Sequence, residues 1–587
     1  MIQFLGLLGL SATFSASLVS AQEKSLLVVY PPSNYQTTAE KIFFVGTAPS
    51  SGNVFINGQV IIRSQSGHFA PSFPLKLGEN IFKISYQDQT IKIKVTRNRN
   101  QSIIPESLAF TKNSLLPKSD IARMPGEVIC FSAIATPNAT ALVQLGRVNI
   151  PLLPQTQHVQ LPSYIVALTG QNQPNIQDNI TRYQGCTTLN SPGDFGKPLF
   201  QVTQAGQTLT QEGAGKVQIL SPKQIEVAEI TANMGVTRTG PNTSYSRLTP
   251  LPQGTQAVIS GKEGKWLRLD YGAWINSKET RILSNVMQPQ SIIRGVGYKQ
   301  IFQATEITLF LDSPAPINVQ QGNKTFILTL YNATAKTDMI RTDNDPLISR
   351  LDWQQVNPEQ LQYTFTLKTD QQWGYKLRYI GKSLVLTMRH PPKLQRSRYK
   401  PLSGIKILLD PGHGGDESGA TGPTGYQEKD INLVVSKLLQ QELVKRGAFV
   451  VMTREEDKNV SLANRQAIIA QEEPTISLSI HYNALPDTAN AEKTKGIGTF
   501  WYHPQAHGLA MFLQNYLVKK LKRPSYGVFW GNLALTRPAT APSILLELGF
   551  IINPDEFEWI INEKEQKKLV KALADGTVKW FKDSLTQ

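Results

Sequence analysis

The hydrophobic pattern of this chain changes period once, near residue 403, and that change constrains the fold more than anything else in it. Before it, apolar residues alternate with polar ones over short runs, as in Lys41-Ile42-Phe43-Phe44-Val45, Val54-Phe55-Ile56 before Asn57-Gly58, and Asn80-Ile81-Phe82-Lys83-Ile84. A period of two between turn residues is the pattern of half-buried antiparallel strands. After it, Ile405–Asp410 is a short apolar run, and Ile431, Val434, Val435, Leu438, Leu439 and Leu443 then recur at helical spacing as far as Arg446-Gly447. Phe449–Thr453, Ile476–Ile480, Ile497–Tyr502 and Ser543–Leu548 are further apolar runs. Between and after them lie helical stretches, opened by a Ser461 cap, running from about His507 to Lys522, and from Asn562 to Phe581. Strands alternating with helices predict a mostly parallel sheet flanked by helices. The expectation is therefore a multidomain protein with N-terminal all-β modules and a C-terminal α/β domain.

The 587 residues suffice for about four domains, and 40% apolar with 18% charged residues is ordinary globular composition. The reading divides the chain as follows. Residues 1–21 carry no charge, contain the apolar run Phe4–Leu10 and end in Val19-Ser20-Ala21, which reads as a secretory signal peptide without the usual basic start. Residues 22–97 read as a small sandwich, and they resemble the immunoglobulin-like modules of bacterial envelope proteins. Residues 98–215 are β-rich and of unclear type. Residues 216–288 break short strands with Gly240-Pro241 and Pro252-Gln253-Gly254 and end in Trp266 and Trp274, a pattern that resembles a bacterial SH3-like barrel of the sort that docks on cell-wall peptide. Residues 289–392 are β-rich and resemble envelope-targeting modules. Residues 393–402, basic and containing proline, read as a linker.

No later stretch has the roughly 20 uninterrupted apolar residues of a spanning helix. Cys130 and Cys186 are the only cysteines. In an exported protein they can pair, and two buried thiols without chemistry are an equal reading. The net charge of +16 lies wholly in front: residues 1–400 hold 39 basic against 23 acidic residues, while residues 401–587 hold 21 of each. Adhesion of the N-terminal modules to an anionic envelope polymer is one reading, and a solvated lysine-rich surface is the other. Nucleic acid is a poor partner, since no arginine-rich or aromatic-basic motif occurs.

Catalytic residues in such a sheet lie beyond the carboxyl ends of the strands. His413 follows the first strand in Asp410-Pro411-Gly412-His413-Gly414-Gly415, Glu428 opens the next helix, and His481 ends the strand Ser477–His481. Two imidazoles and a carboxylate are the ligand set of a catalytic zinc. Glu547 is a lone carboxylate in the apolar run Ile544–Phe550, where desolvation raises its pKa and suits it to proton transfer. Spacing alone does not establish this, because no His-Glu-x-x-His occurs and both histidines also read as core or loop residues.

Five motifs in order carry a resemblance: Asp410–Gly415, Glu428-Lys429-Asp430, Thr453-Arg454, Ser479–Ala484 and Glu547–Phe550 with Asn553. Over about residues 403–583 the chain resembles the zinc-dependent N-acetylmuramoyl-L-alanine amidases. The resemblance implies one zinc on His413, Glu428 and His481, catalysis by Glu547, and cleavage of the amide between the lactyl group of N-acetylmuramic acid and L-alanine in peptidoglycan. It also implies a role in wall remodelling or cell separation, while residues 1–21 imply export to the periplasm or cell wall. Arg454, Asn483 and Arg537 are candidate substrate contacts, each also readable as a salt bridge or turn hydrogen bond. A zinc peptidase acting within the stem peptide and a non-catalytic wall-binding protein are the alternatives. Only His503–Ala506 separates the strand Ile497–Tyr502 from the next helix, too short for the blocking insertion some family members carry, so an open site is expected. His503 and His507 read as surface residues.

Overall fold

A computed structural model describes residues 25–98, 107–155, 158–160, 175–177, 182–284, 286–342, 344–394, 397 and 399–585. The signal-peptide reading of 1–21 lies outside the described residues. The chain is mostly β, with a C-terminal α/β domain built on a mixed sheet.

In the first unit a five-stranded sheet, ordered 34–37, 89–97, 78–86, 54–56 and 59–60, shares one core with strands 27–30 and 68–69, between which strand 45–47 pairs. Phe44, Phe69, Phe82 and Ile84 fill it. The Asn57-Gly58 turn joins two paired strands, with φ of 49° and 81° at the two residues, as a type I′ hairpin requires.

A six-stranded sheet follows, with Val128–Ile134 paired to Arg182–Thr188. Cys130 and Cys186 face each other across this pair and are joined as a disulfide, which settles the two readings of these cysteines. The sequence boundary at 215/216 falls inside a sheet: strands 121–123, 193–196 and 217–219 join strands 226–230, 256–263 and 280–284. Arg123 and Arg268 bridge to Glu263 and Glu127 (2.6 Å each) and both lie over Trp274. Trp266 and Trp274 are both buried. Residues 291–389 form a five-stranded and a four-stranded sheet, whose core is continuous with Ile230, Leu251 and Leu269 of the preceding unit.

The elements of the last domain are β1 (Lys406–Pro411), α1 (Glu428–Lys445), β2 (Phe449–Met452), α2 (Leu462–Glu472), β3 (Ile476–Asn483), β4 (Ile497–Trp501), α3 (Pro504–Leu521), β5 (Ser525–Trp530), β6 (Ser543–Phe550), α4 (Pro554–Ile561) and α5 (Glu563–Leu585). The sheet order is β2-β1-β3-β6-β4-β5; every pair is parallel except β6 with β4. Ile407 and Leu409 face a core shared with α1, α3 and α5, while Leu408 points to the other side, against Ile469 of α2. That alternation is the strand period placing two layers of helix on one sheet. The Ser461 hydroxyl accepts from Asn464 N and starts α2. Strand β5 and helix α4 lie in stretches the periodicity left unassigned. Both are short, and β5 has no fully buried residue.

The front modules are packed onto this domain. Phe43, Val45, Ala70 and Trp373 belong to its core, with Trp373 against Trp580 and Phe581. The hydroxyls of Tyr30, Tyr35 and Thr37 converge on the carboxylate of Asp487. The stretch read as a linker at 393–402 ends docked, with Leu402 fully buried and its N–H on Arg446 O (2.8 Å). Among the described residues no helix is long and apolar enough to cross a membrane.

Candidate metal centre

Strand β1 delivers the chain to Gly412, whose N–H donates to Ile480 O of β3 (3.0 Å). A Cβ at Gly412 would stand 2.1 Å from Cε1 of His481, so only glycine lets the imidazole lie over this backbone. His413 follows with φ of 59°, a left-handed conformation held by its surroundings.

Glu428 is the first residue of α1 and is 4% exposed. Its Oε1 accepts from His481 Nδ1 (2.9 Å), Tyr482 N (3.1 Å) and Asn432 Nδ2 (3.2 Å). Its Oε2 accepts from Ala420 N (2.9 Å) and lies 3.2 Å from His413 Nε2. Burial alone would raise its pKa, but the hydrogen bonds and charges of the two histidines outweigh that and hold it well below the usual carboxylate range. A helix N-terminus adds to the same preference for the anion.

His413, Glu428 and His481 present one ligand atom each, all within 4.8 Å of one another. The two imidazole rings stand 4.9 Å apart, nearly perpendicular. Their side chains keep 22% and 14% exposure, so the group is reached from solvent. Glu547 lies opposite His481 across the β3–β6 pair. Its Oε2 is shut from water and has no hydrogen-bond partner. Burial, then the nearby negative charge of Glu428, pushes its pKa well above the ordinary glutamate value.

Behind these side chains stands a charged support that sequence reasoning passed over. Asp410, fully buried, accepts from Arg465 Nη1, Thr453 Oγ1 and Ser479 Oγ, each at 2.6 Å. The same Arg465 donates to Pro411 O (2.7 Å) and, through Nη2, to His413 O (2.6 Å). The signal available was a charge at each end of the contact: Asp410 closing an apolar strand, and Arg465 on the inward face of α2. Neither is affordable without the other.

The three candidate substrate contacts are dispersed. Arg454 is 1% exposed and donates to four backbone carbonyls, of Pro411, Gly412, Lys429 and Glu456, so its guanidinium braces the loop. Asn483 sits at the site end of β3, half-buried, its Oδ1 accepting from Ala484 N (2.9 Å). Arg537 is elsewhere, donating to Asn532 and lying beside Tyr502 and His503. His503 is half-buried rather than superficial: its Nε2 donates to Arg537 O (2.7 Å), and burial lowers its pKa to about 4. His507 is exposed, its ring 4.6 Å from that of Trp501. Helix α3 starts at Pro504, two residues after β4 ends.

A family model described as N-acetylmuramoyl-L-alanine amidase matches residues 407–579. A probable cell wall amidase, LytH of Staphylococcus aureus, is 39% identical over 183 residues, which are 31% of this chain and 60% of that protein. The chain thus spans 60% of the length of the curated relatives it matches. Among solved structures, an N-acetylmuramoyl-L-alanine amidase from Clostridium difficile 630 is 31% identical, covering 30% of this chain and 97% of its own, with a TM-score of 0.29. The amidase AmiC2 of Nostoc punctiforme is 28% identical, covering 31% and 99%, also with a TM-score of 0.29. Residues 407–579 of this chain thus match the model of the N-acetylmuramoyl-L-alanine amidase family.

Proposed function

We propose that the C-terminal domain hydrolyses the amide between the lactyl group of N-acetylmuramic acid and the L-alanine of the peptidoglycan stem peptide. The observation that carries this is the convergence of His413, Glu428 and His481 beside a half-buried carboxylate, Glu547, whose Oε2 is shut from water and unpartnered. The donor set fits zinc: two imidazoles and one carboxylate leave a position free, and the buried His413 Nδ1 has no hydrogen-bond partner. Zinc bound there would supply Lewis acidity toward the amide carbonyl and lower the pKa of a water.

The chain's own residues do the rest. Glu547 Oε2 takes a proton from the attacking water and returns it to the departing nitrogen; a raised pKa suits both halves of that exchange. Arg465, Arg454 and Asn432 hold the Pro411–His413 backbone, so that His413 does not swing out. Glu428 is fixed by three N–H donors from the chain besides the histidines, which keeps it ionised. Asn483, at the rim, is the remaining candidate for a substrate contact.

In this reading the front of the chain delivers the enzyme. Residues 1–21 export it to the periplasm or wall, residues 22–97 are an immunoglobulin-like module, and residues 216–288 an SH3-like module for wall peptide. Residues 289–392 target the envelope, and the excess positive charge favours anionic polymer. With two residues between β4 and α3, the site is open without an activator.

The test is digestion of purified sacculi with and without a chelator, followed by mass spectrometry. Intact stem peptides with a free L-alanine amine, released only without chelator, are expected. Cuts inside the stem peptide would replace this reading with a peptidase.

A further inference from the structure

A cavity of about 1040 Å³ opens where three units meet: the 233–250 segment, the strands around 319–321 and 375–378, and the last domain at α2 and residues 530–540. Its lining includes none of His413, Glu428, His481 and Glu547. Trp501, at the end of β4, lies opposite Ile544, three residues before Glu547 on β6 and so about 10 Å from it along the strand.

The lining contains four cations, Arg247, Lys376, Arg378 and Arg537, and no Asp or Glu. Two of the four are already neutralised: Lys376 by Glu473, and Arg378 by Glu306 (3.2 Å). The other two are not. Arg247, half-buried, makes no side-chain hydrogen bond or ion pair among the described residues. Among the described residues, Arg537 donates only to the neutral Asn532, at Oδ1 (2.7 Å) and at O (3.1 Å). Behind them Arg238 is buried, its Nη1 on the carbonyls of Thr243 (2.9 Å) and Tyr245 (2.7 Å). Burial, then the charges of Arg247 and Arg238, brings the Arg537 guanidinium down to about 10, so it stays charged at neutral pH while being repelled by both. Holding guanidiniums together from two different units costs free energy that a bound anion offsets, and the planar fork suits a carboxylate or phosphate.

One wall is aromatic. Trp530 is 60% exposed, its ring 5.3 Å from Tyr502, and its Nε1 donates to Tyr502 O (3.1 Å). Tyr502 continues onto His503, and His503 onto Tyr375. The exposed Trp530, with Tyr502 tilted 40° beside it, offers an apolar face with polar edges, which accommodates the C–H face of a pyranose and its hydroxyls. The volume lies at the upper end of small-ligand sites, ample for a disaccharide.

We propose that this cavity binds an acidic saccharide, its acid group between Arg247 and Arg537 and its sugar ring on Trp530 and Tyr502. It is a second site, independent of the assignment of the metal centre. A polymer that engages it is held near the domain whatever the metal centre does, which raises the local concentration of further segments.

The test uses the full chain in titration calorimetry with the disaccharide N-acetylglucosaminyl-N-acetylmuramic acid, which carries a carboxylate and no stem peptide. Chitobiose serves as the neutral control and glycerol 3-phosphate as the phosphate arm. Saturable binding of the acidic disaccharide is expected, with chitobiose at least tenfold weaker. Arg247→Ala and Arg537→Ala should each weaken it tenfold or more, Arg537→Lys less, and Trp530→Ala severalfold. His413→Ala should leave it unchanged. Absence of saturable binding, equal binding in Arg247→Ala, or loss in His413→Ala overturns the proposal. Equal affinity for glycerol 3-phosphate with no effect of Trp530→Ala overturns the saccharide assignment. Arg247 is on a loop, so its variant remains interpretable if Arg537→Ala fails to fold.

Discussion

Glu547 and Arg465 are both ionisable groups, yet they ask different things of the protein. The carboxylate of Glu547 is left short of partners, a cost that the proposed mechanism accounts for by proton transfer. Glu547→Gln keeps the shape and removes the proton carrier. Metal content by atomic emission is expected to stay at the wild-type level while turnover on sacculi falls by about 10²–10⁴-fold. Arg465 is instead fully used, on Asp410, Pro411 and His413. Arg465→Ala leaves Asp410 buried without its cation, and urea denaturation should show a loss of about 3–5 kcal/mol. The same pair sets an acid limit. Burial would raise the Asp410 pKa, but Arg465 and the hydroxyls of Ser479 and Thr453 outweigh it and lower it below the ordinary value. A depressed folded pKa contributes stability that is present above the unfolded value of about 3.9 and is lost as pH falls through the folded one. Denaturation midpoints should therefore drop more steeply below about pH 4 in the wild type than in Asp410→Asn.

At the scale of elements, the site is a set of strand and helix ends brought to one edge. β1 ends in the His413 loop, β3 carries His481 near its end, β6 passes Glu547 alongside, and α1 begins with Glu428. The pattern of apolar residues made these elements legible, because a buried strand and an amphipathic helix each impose their own period. The motif order made the four principal residues legible. The pairing of Arg465 with Asp410 was not, since a contact 55 residues apart leaves a charge in an apolar setting at each end but nothing that names its partner. Nor was β5, which pairs at the sheet edge with few buried positions to mark it. Ser461 is a point where local signal and structure agree. Ser461→Ala should cost about 1 kcal/mol, read as a lower Tm with unchanged metal content.

Over the whole molecule, the modules bear on the C-terminal α/β domain rather than trailing from it. The loop after His481 carries Asp487, and three hydroxyls of the first unit close on that carboxylate. Removing a charged acceptor from such a cluster costs about 1.5–3 kcal/mol per hydrogen bond at most. Asp487→Ala is thus expected to raise hydrogen exchange at residues 34–37 and 484–490 while leaving β1 and β3 protected. Unchanged exchange at 34–37 would mean that the apolar contacts of Phe43, Val45 and Ala70 hold the unit alone.

The sequence alone determined which residue types were available and in what order: two imidazoles, a helix-opening glutamate and a buried strand glutamate, on a strand–helix pattern that puts strand ends together. Its alternation likewise fixed β modules ahead of them. Tertiary structure decided the rest: which side chains meet, that Arg454 braces a loop, that Arg537 belongs to a different cavity, and that Cys130 meets Cys186. The reason is physical. Periodicity and propensity act over a few residues, whereas charge pairing, desolvation and the meeting of separate units depend on neighbours that only the folded chain supplies.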